Sequence, residues 1–223
     1  MCVKREFTLK RLLQFGGVGA LLQAVYFVAV VLFLAVIMPS QGFAADDTAY
    51  HDPASALSFA LKTPTRAVSD LLDLILGASL VMITVALSEK FQAELSGRKQ
   101  VMVMAAIIGA TLAFASGMIG FITIPELAGM YAQGKVEANA TYLTVTLITG
   151  ALRLGAIFAY GWWVLLVSWI ANTTKQFSKP LNYLGFLLGV CGIINFVIQP
   201  VAIITLVLGL VWSIWLGIEL LRQ

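Results

Sequence analysis

The sequence predicts an all-α fold, a polytopic transmembrane bundle of six helices with its N-terminus and C-terminus in the cytoplasm. Three observations predict it. Of 223 residues, 60% are hydrophobic and 11% charged, where a soluble domain runs near 45–50% and about 25%. The mean hydropathy is +0.94. The apolar residues fall into six stretches, each near the roughly 20 residues that a membrane-crossing helix needs. Together they occupy most of the chain and leave no room for a large extramembrane domain, so a single transmembrane domain covers residues 1–223.

The spans are expected at residues 18–38, 68–87, 101–122, 142–171, 181–198 and 201–221. All should be helical, because lipid offers backbone groups no partner outside the segment itself. The first has an apolar core too long for a secretory signal, whose apolar region runs about 7–15 residues, and is expected to be retained. Ahead of it, Lys4, Arg5, Lys10 and Arg11 mix with Phe7, Leu12, Leu13 and Phe15. This suits a helix lying on an anionic leaflet, or an inward extension of the first span. Between the first two spans, Asp52-Pro53 supplies an N-cap and a first helical position for a short helix carrying Ala54, Leu57 and Leu61 and ending before Pro64. Pro125 marks the end of the third span. Only Gln199-Pro200 separates the last two, with Asn195 just before, which predicts a tight helical hairpin.

Orientation follows from the cations, since Lys and Arg collect in short cytoplasmic loops. With the N-terminus inside, Lys4, Arg5, Lys10, Arg11, Lys90, Arg98, Lys99, Lys175, Lys179 and Arg222 are cytoplasmic, and only Lys62, Arg66 and Lys135 are outside. The fourteenth cation, Arg153, falls within the fourth span.

Composition also excludes chemistries. A net charge of +3 on so few ionisable groups gives no basic surface for nucleic acid. One histidine, His51, and two cysteines, Cys2 and Cys191, supply neither a zinc site nor a bis-histidine haem nor a disulfide framework. No cofactor and no metal are expected. Ser79, Ser116, Ser168 and Ser213 have no intramembrane base beside them and should bond to helix backbone. Ala151, Gly155 and Ala159, Ala113 and Gly117, and Gly185 and Gly189 recur at spacings of four, suited to close helix packing within the chain. Trp169, Trp212 and Trp215 read as interfacial anchors, whereas Trp162 and Trp163 lie deeper.

Arg153 is the most informative residue. About ten residues into its span, it costs up to roughly 3 kcal/mol unless paired or wet. Its candidate partners from the same side are Asp73 and Asp70, one turn apart on the second span, and Glu126 beyond Pro125. Asp73 is the deepest and Asp70 near enough to the interface to be solvated. Arg153, Asp73, Asp70 and Glu126 thus form either a ligand-binding site or a structural ion pair. Two carboxylates on one helix face do not oppose each other across a substrate, so no catalytic pair is expected.

The run from Trp162-Trp163-Val164-Leu165-Leu166-Val167, through Phe177-Ser178-Lys179-Pro180-Leu181-Asn182-Tyr183-Leu184-Gly185, to Trp212-Ser213-Ile214-Trp215-Leu216-Gly217 resembles a family of small bacterial six-span inner-membrane proteins catalogued as a domain of unknown function. The shared features are a polar turn ending in Lys or Pro before a Leu-Gly-rich hairpin, and a last helix with a Trp-x-x-Trp-x-Gly pattern. The resemblance implies residence in the bacterial inner membrane and carries over no functional residue. The expected activity is non-enzymatic, an accessory or binding component in contact with membrane lipids and other membrane proteins. The alternatives are a small-solute transporter with its site around Arg153, Asp73 and Glu126, and, last, an intramembrane lipid-modifying enzyme.

Overall fold

A chain this apolar has to satisfy its backbone within its own segments, and in the computed structural model the elements are helices joined by turns. The structure describes residues 2–40, 52–62, 65–91, 96–195, 197–198 and 200–223. His51 lies outside them. The helices are α1 (Cys2–Leu32), continued by a π-helical segment at Phe33–Ile37 and a last turn at Met38–Ser40, α2 (Pro53–Lys62), α3 (Thr65–Lys90), α4 (Ser96–Ala132), α5 (Glu137–Thr174), α6 (Lys179–Ile194) and α7 (Val201–Leu221). No strand occurs among the described residues.

Five helices are long and apolar enough to cross a bilayer: α1, α3, α4, α5 and α7. They make the chain a helical membrane protein. The fifth expected stretch instead forms the 16-residue α6, about 24 Å long at 1.5 Å per residue, short of the roughly 30 Å hydrocarbon layer. The basic N-terminal segment extends α1 rather than forming a separate helix. α4 does not end at Pro125 but runs on to Ala132. The bond lost at the proline is offset by packing, because Ile124, Leu127 and Ala128 bury against Ala56 and Leu57 of α2 and Ala138 and Tyr142 of α5.

Six helices pack as a closed ring in the order α1, α3, α4, α5, α6, α7 and back to α1, with α2 capping one end against α4 and α5. Both termini lie at the other end, where Gly17 meets Leu221 and Lys90 bonds to Gln223. The small-residue stripes are spent inside the ring. A Cβ on Gly161 would come within 2.9 Å of the Gly189 carbonyl oxygen, so α5 and α6 cross backbone to backbone. Gly192 rests on the same glycine, with the Ile157 carbonyl 3.7 Å from where its Cβ would be. The Asn195 end of α6 therefore sits beside the middle of α5. Beyond it, the α2-end half of α5 has no α6 alongside.

Two elements show their local causes. Gly134, at φ 72° between α4 and α5, takes the left-handed conformation that glycine adopts without strain. Asp52 caps α2 by accepting from the Ser55 amide at 3.2 Å, with Pro53 at the first helical position as the sequence predicts. Bonds from the Ser55 hydroxyl and amide hold the Asp52 carboxyl below its ordinary pKa. A folded-state pKa lowered in this way gives stability that is fully present above the unfolded value and is lost as pH falls through the lowered one. Asp52→Ala should accordingly speed hydrogen exchange of the first-turn amides of α2 at neutral pH, while Asp52→Asn, which keeps an acceptor, should leave them protected. The wild-type cap should loosen only in acid.

Candidate functional site

The charged side chains of the bundle converge where α3, α4 and α5 meet. Arg153 reaches from α5 to α3, its Nη2 donating to Asp73 Oδ2 at 2.8 Å and its Nε lying 3.0 and 3.2 Å from the two carboxylate oxygens. This near-bidentate contact is the strong form of a charge-assisted pair. Asp70, one turn away, holds Oδ1 3.6 Å from Nη2. α4 completes the arrangement from behind. Ser116 Oγ lies 2.9 Å from Asp73 Oδ2 and 3.1 Å from the Thr149 carbonyl oxygen, its one proton shared between them. Gly120 seats the Asp70 carboxylate, which a Cβ there would approach to 2.5 Å.

The structure thus brings together Arg153, Asp73 and Asp70, and corrects two expectations. Asp70 is only 2% exposed, enclosed against α4 rather than solvated. Glu126 stays apart on an exposed position. Because α4 continues through Pro125, Glu126 lies six residues past Gly120, about 9 Å farther along the axis and turned to another face.

Beside the pair is a cavity of about 910 Å³ between α1, α3, α5 and α7. This is within the range of pockets that enclose drug-sized ligands. Its walls are mainly apolar, among them Phe27, Leu72, Leu76, Ile157 and Leu206, and Arg153, Asp73, Thr149 and Asn195 bring polar groups to it. The Arg153 side chain is 38% exposed because the cavity reaches it. Nε and Nη2 are spent on the carboxylates. Among the described residues Nη1 has no hydrogen-bond partner, so two of the five guanidinium donors remain unspent.

Aromatic rings close the cavity toward the termini. Tyr26, Phe27, Tyr160, Trp163 and Trp212 follow one another at centroid separations of 5.2, 6.3, 5.8 and 5.8 Å. Phe27 points the tip of its ring at α7, where Gly209 leaves room for it. Trp212, expected at an interface, is 1% exposed in this stack, since its edge-to-face contact with Trp163 fills the ring's centre. Trp163 is fully buried, Trp162 exposed, and Trp169 lies under Arg98 at 4.8 Å.

Several polar atoms in this layer are unspent. Among the described residues the Tyr160 hydroxyl lies beside Ser213 without a hydrogen bond of its own, and Gln23 Nε2, Trp163 Nε1 and Ser168 Oγ also have none. Ser213 donates instead to Gln23 Oε1 at 3.0 Å. Of the four serines expected to bond to backbone, only Ser79 does so alone, to the Leu76 carbonyl. The roles of Ser116, Gly120, Tyr26 and Tyr160 carry no sequence signal, because each depends on which helices become neighbours. Among the described residues no group of three or more His, Cys, Asp or Glu side chains is placed to hold a metal ion.

No protein-family model, curated protein or solved structure matches the chain.

Arg153→Leu should lower stability in detergent by about 1–3 kcal/mol, less than the roughly 3–5 kcal/mol for breaking a fully buried pair because the arginine is partly solvated. Adding Asp73→Asn should recover part of that loss, as the uncompensated carboxylate disappears. Thermal or denaturant unfolding of the two variants measures both effects.

Proposed function

We propose that this chain is a non-enzymatic, membrane-embedded binding component whose cavity holds a small amphipathic solute at Arg153. One observation carries the reading: a cavity of about 910 Å³ with mainly apolar walls meets a guanidinium whose Nη1 donors have no partner among the described residues. Apolar lining with a few fixed polar groups is what small-molecule sites use for affinity and orientation. The Asp73 carboxylate holds the guanidinium in place, so its free edge is pre-organised for an acceptor on the ligand.

The reading places the chain in the bacterial inner membrane with six spans, α6 being the short one, and both termini in the cytoplasm. The cation distribution supports that orientation, and the common end of the two termini agrees with it. The α2 end is then the outer one. Transport of the solute is the second reading, favoured by the unspent polar atoms of Tyr160, Gln23, Trp163 and Ser168 between the cavity and the termini end. Buried polar groups of this kind are normally hydrated or bonded.

Gly150 tests the binding reading without touching the ion pair. It lines the cavity, and a Cβ there meets nothing within 4 Å. Gly150→Leu should fill the space, keep or raise the melting temperature, and abolish the stabilisation that amphipathic solutes give the wild type in a thermal-shift screen. Equal shifts in both proteins would contradict the assignment.

A further inference from the structure

The shape and rim of the cavity narrow the class of ligand, on the reading that it is a binding site. Its lining on α5 runs from Leu143 to Tyr160, a rise of about 25 Å along the helix, so it is a trough rather than a sphere. Arg153 divides it. Toward the termini, Phe27, Ile157 and Tyr160 form a blind apolar end two turns below the guanidinium. Toward α2, the lining residues Leu34, Leu143 and Leu147 are also exposed on the outside of the bundle, Leu147 by 74%. Ser69 and Thr146 line the same end, so the mouth is amphipathic, as suits a site where lipid heads meet their chains. The shortness of the α6–α7 hairpin is what leaves this side of α5 uncovered, and α1 is widened opposite it by the π-helical turn that brings Phe33 and Leu34 to the rim.

Depth agrees with the same picture. Arg153 is eighteen residues from Ala171, about 27 Å along α5, and Asp70 is twenty residues from Lys90, about 30 Å along α3. The guanidinium therefore stands a few ångströms inside the outer boundary of a hydrocarbon layer of about 30 Å, and Leu147, about 9 Å farther out, stands in the boundary region where lipid heads meet their chains. The apolar end of the trough points inward from there. An acyl chain of the outer leaflet has the same arrangement, head at the boundary and chain toward the midplane. Tyr160, 3% exposed and with a hydroxyl that has no hydrogen-bond partner among the described residues, stands at the blind end.

We propose that the ligand is a single-chain amphiphile with an anionic head, which enters sideways from the outer leaflet past Leu147, presents its head to Arg153 Nη1 and lays its chain against Phe27, Ile157 and Tyr160. A carboxylate and a phosphate monoester share this chemistry.

The test uses the full chain in phospholipid vesicles, with palmitate, hexadecyl phosphate and hexadecanol each carrying a mid-chain photoreactive diazirine, and mass-spectrometric mapping of the labelled residues. Palmitate or hexadecyl phosphate should label the peptide carrying Ile157 and Tyr160, and the stronger of the two identifies the head. Hexadecanol should label only lipid-facing residues such as Met104 and Ile107. Gly150→Leu and Leu147→Trp should each reduce labelling at Ile157 and Tyr160 by about tenfold, with Met104 and Ile107 labelled as before. Equal labelling at Tyr160 by hexadecanol, or labelling there that Leu147→Trp leaves unchanged, overturns the proposal. If no probe reaches Tyr160 while water-soluble solutes still stabilise the wild type and not Gly150→Leu, the lipid ligand is wrong and the binding site stands. If both signals are missing, both fall.

Discussion

The contact between Arg153 and Asp73 is the constraint on which the architecture around the cavity rests. A guanidinium in this part of the bundle is affordable only when its charge is matched and its donors are occupied. Asp73 supplies the match, and Ser116 on α4 supplies a further bond to the same carboxylate. Three helices are fixed to one another by a single polar node. Because the node ties α5 to α3 through side chains, α5 stands off from α1 and α7 at that level, and the space between them remains open.

What closes the ring elsewhere is shape. In the half nearer the termini, glycines let α5 and α6 touch backbone to backbone, and Trp163 and Trp212 fill the interior with the largest side chains available. In the half nearer α2, α6 has ended, and α2 packs instead where α4 ends and α5 begins. A tight floor under an open trough follows from the lengths of two helices: about 55 Å for α4 and α5 against about 24 Å for α6. An apolar cavity of this size left empty would cost stability in proportion to its volume. A bound chain removes that cost.

Much of this was legible in the sequence, and the boundary between legible and hidden has a physical basis. Hydropathy marks where helices must exist, because burial in lipid depends on composition alone. The α7 limits, the capped α2 with Asp52 and Pro53, and the end of α6 before Asn195 all follow from local chemistry. Charge cost singled out Arg153 and its two aspartates without any knowledge of packing. The run through Pro125 was not legible, since the buried cluster that sustains it, with Leu57 of α2 and Leu127 of α4, joins distant segments. The same holds for Glu126, whose exclusion from the site follows from that continued helix, and for Trp212, whose burial needs Trp163 opposite. Ser116, Gly120 and Tyr160 are ordinary letters in apolar runs until the ring order makes them neighbours of Asp73, Asp70 and the cavity.

The central claim is that the space beside Arg153 is a site with an occupant and not a packing defect. A high-resolution cryo-electron-microscopy map of the protein in lipid nanodiscs tests it most directly. The account predicts elongated density between α1, α5 and α7, with one end at Arg153 Nη1 and the other reaching Tyr160. A map in which α5 has closed onto α1 and α7 with no intervening density, the Arg153 to Asp73 pair intact, would contradict it.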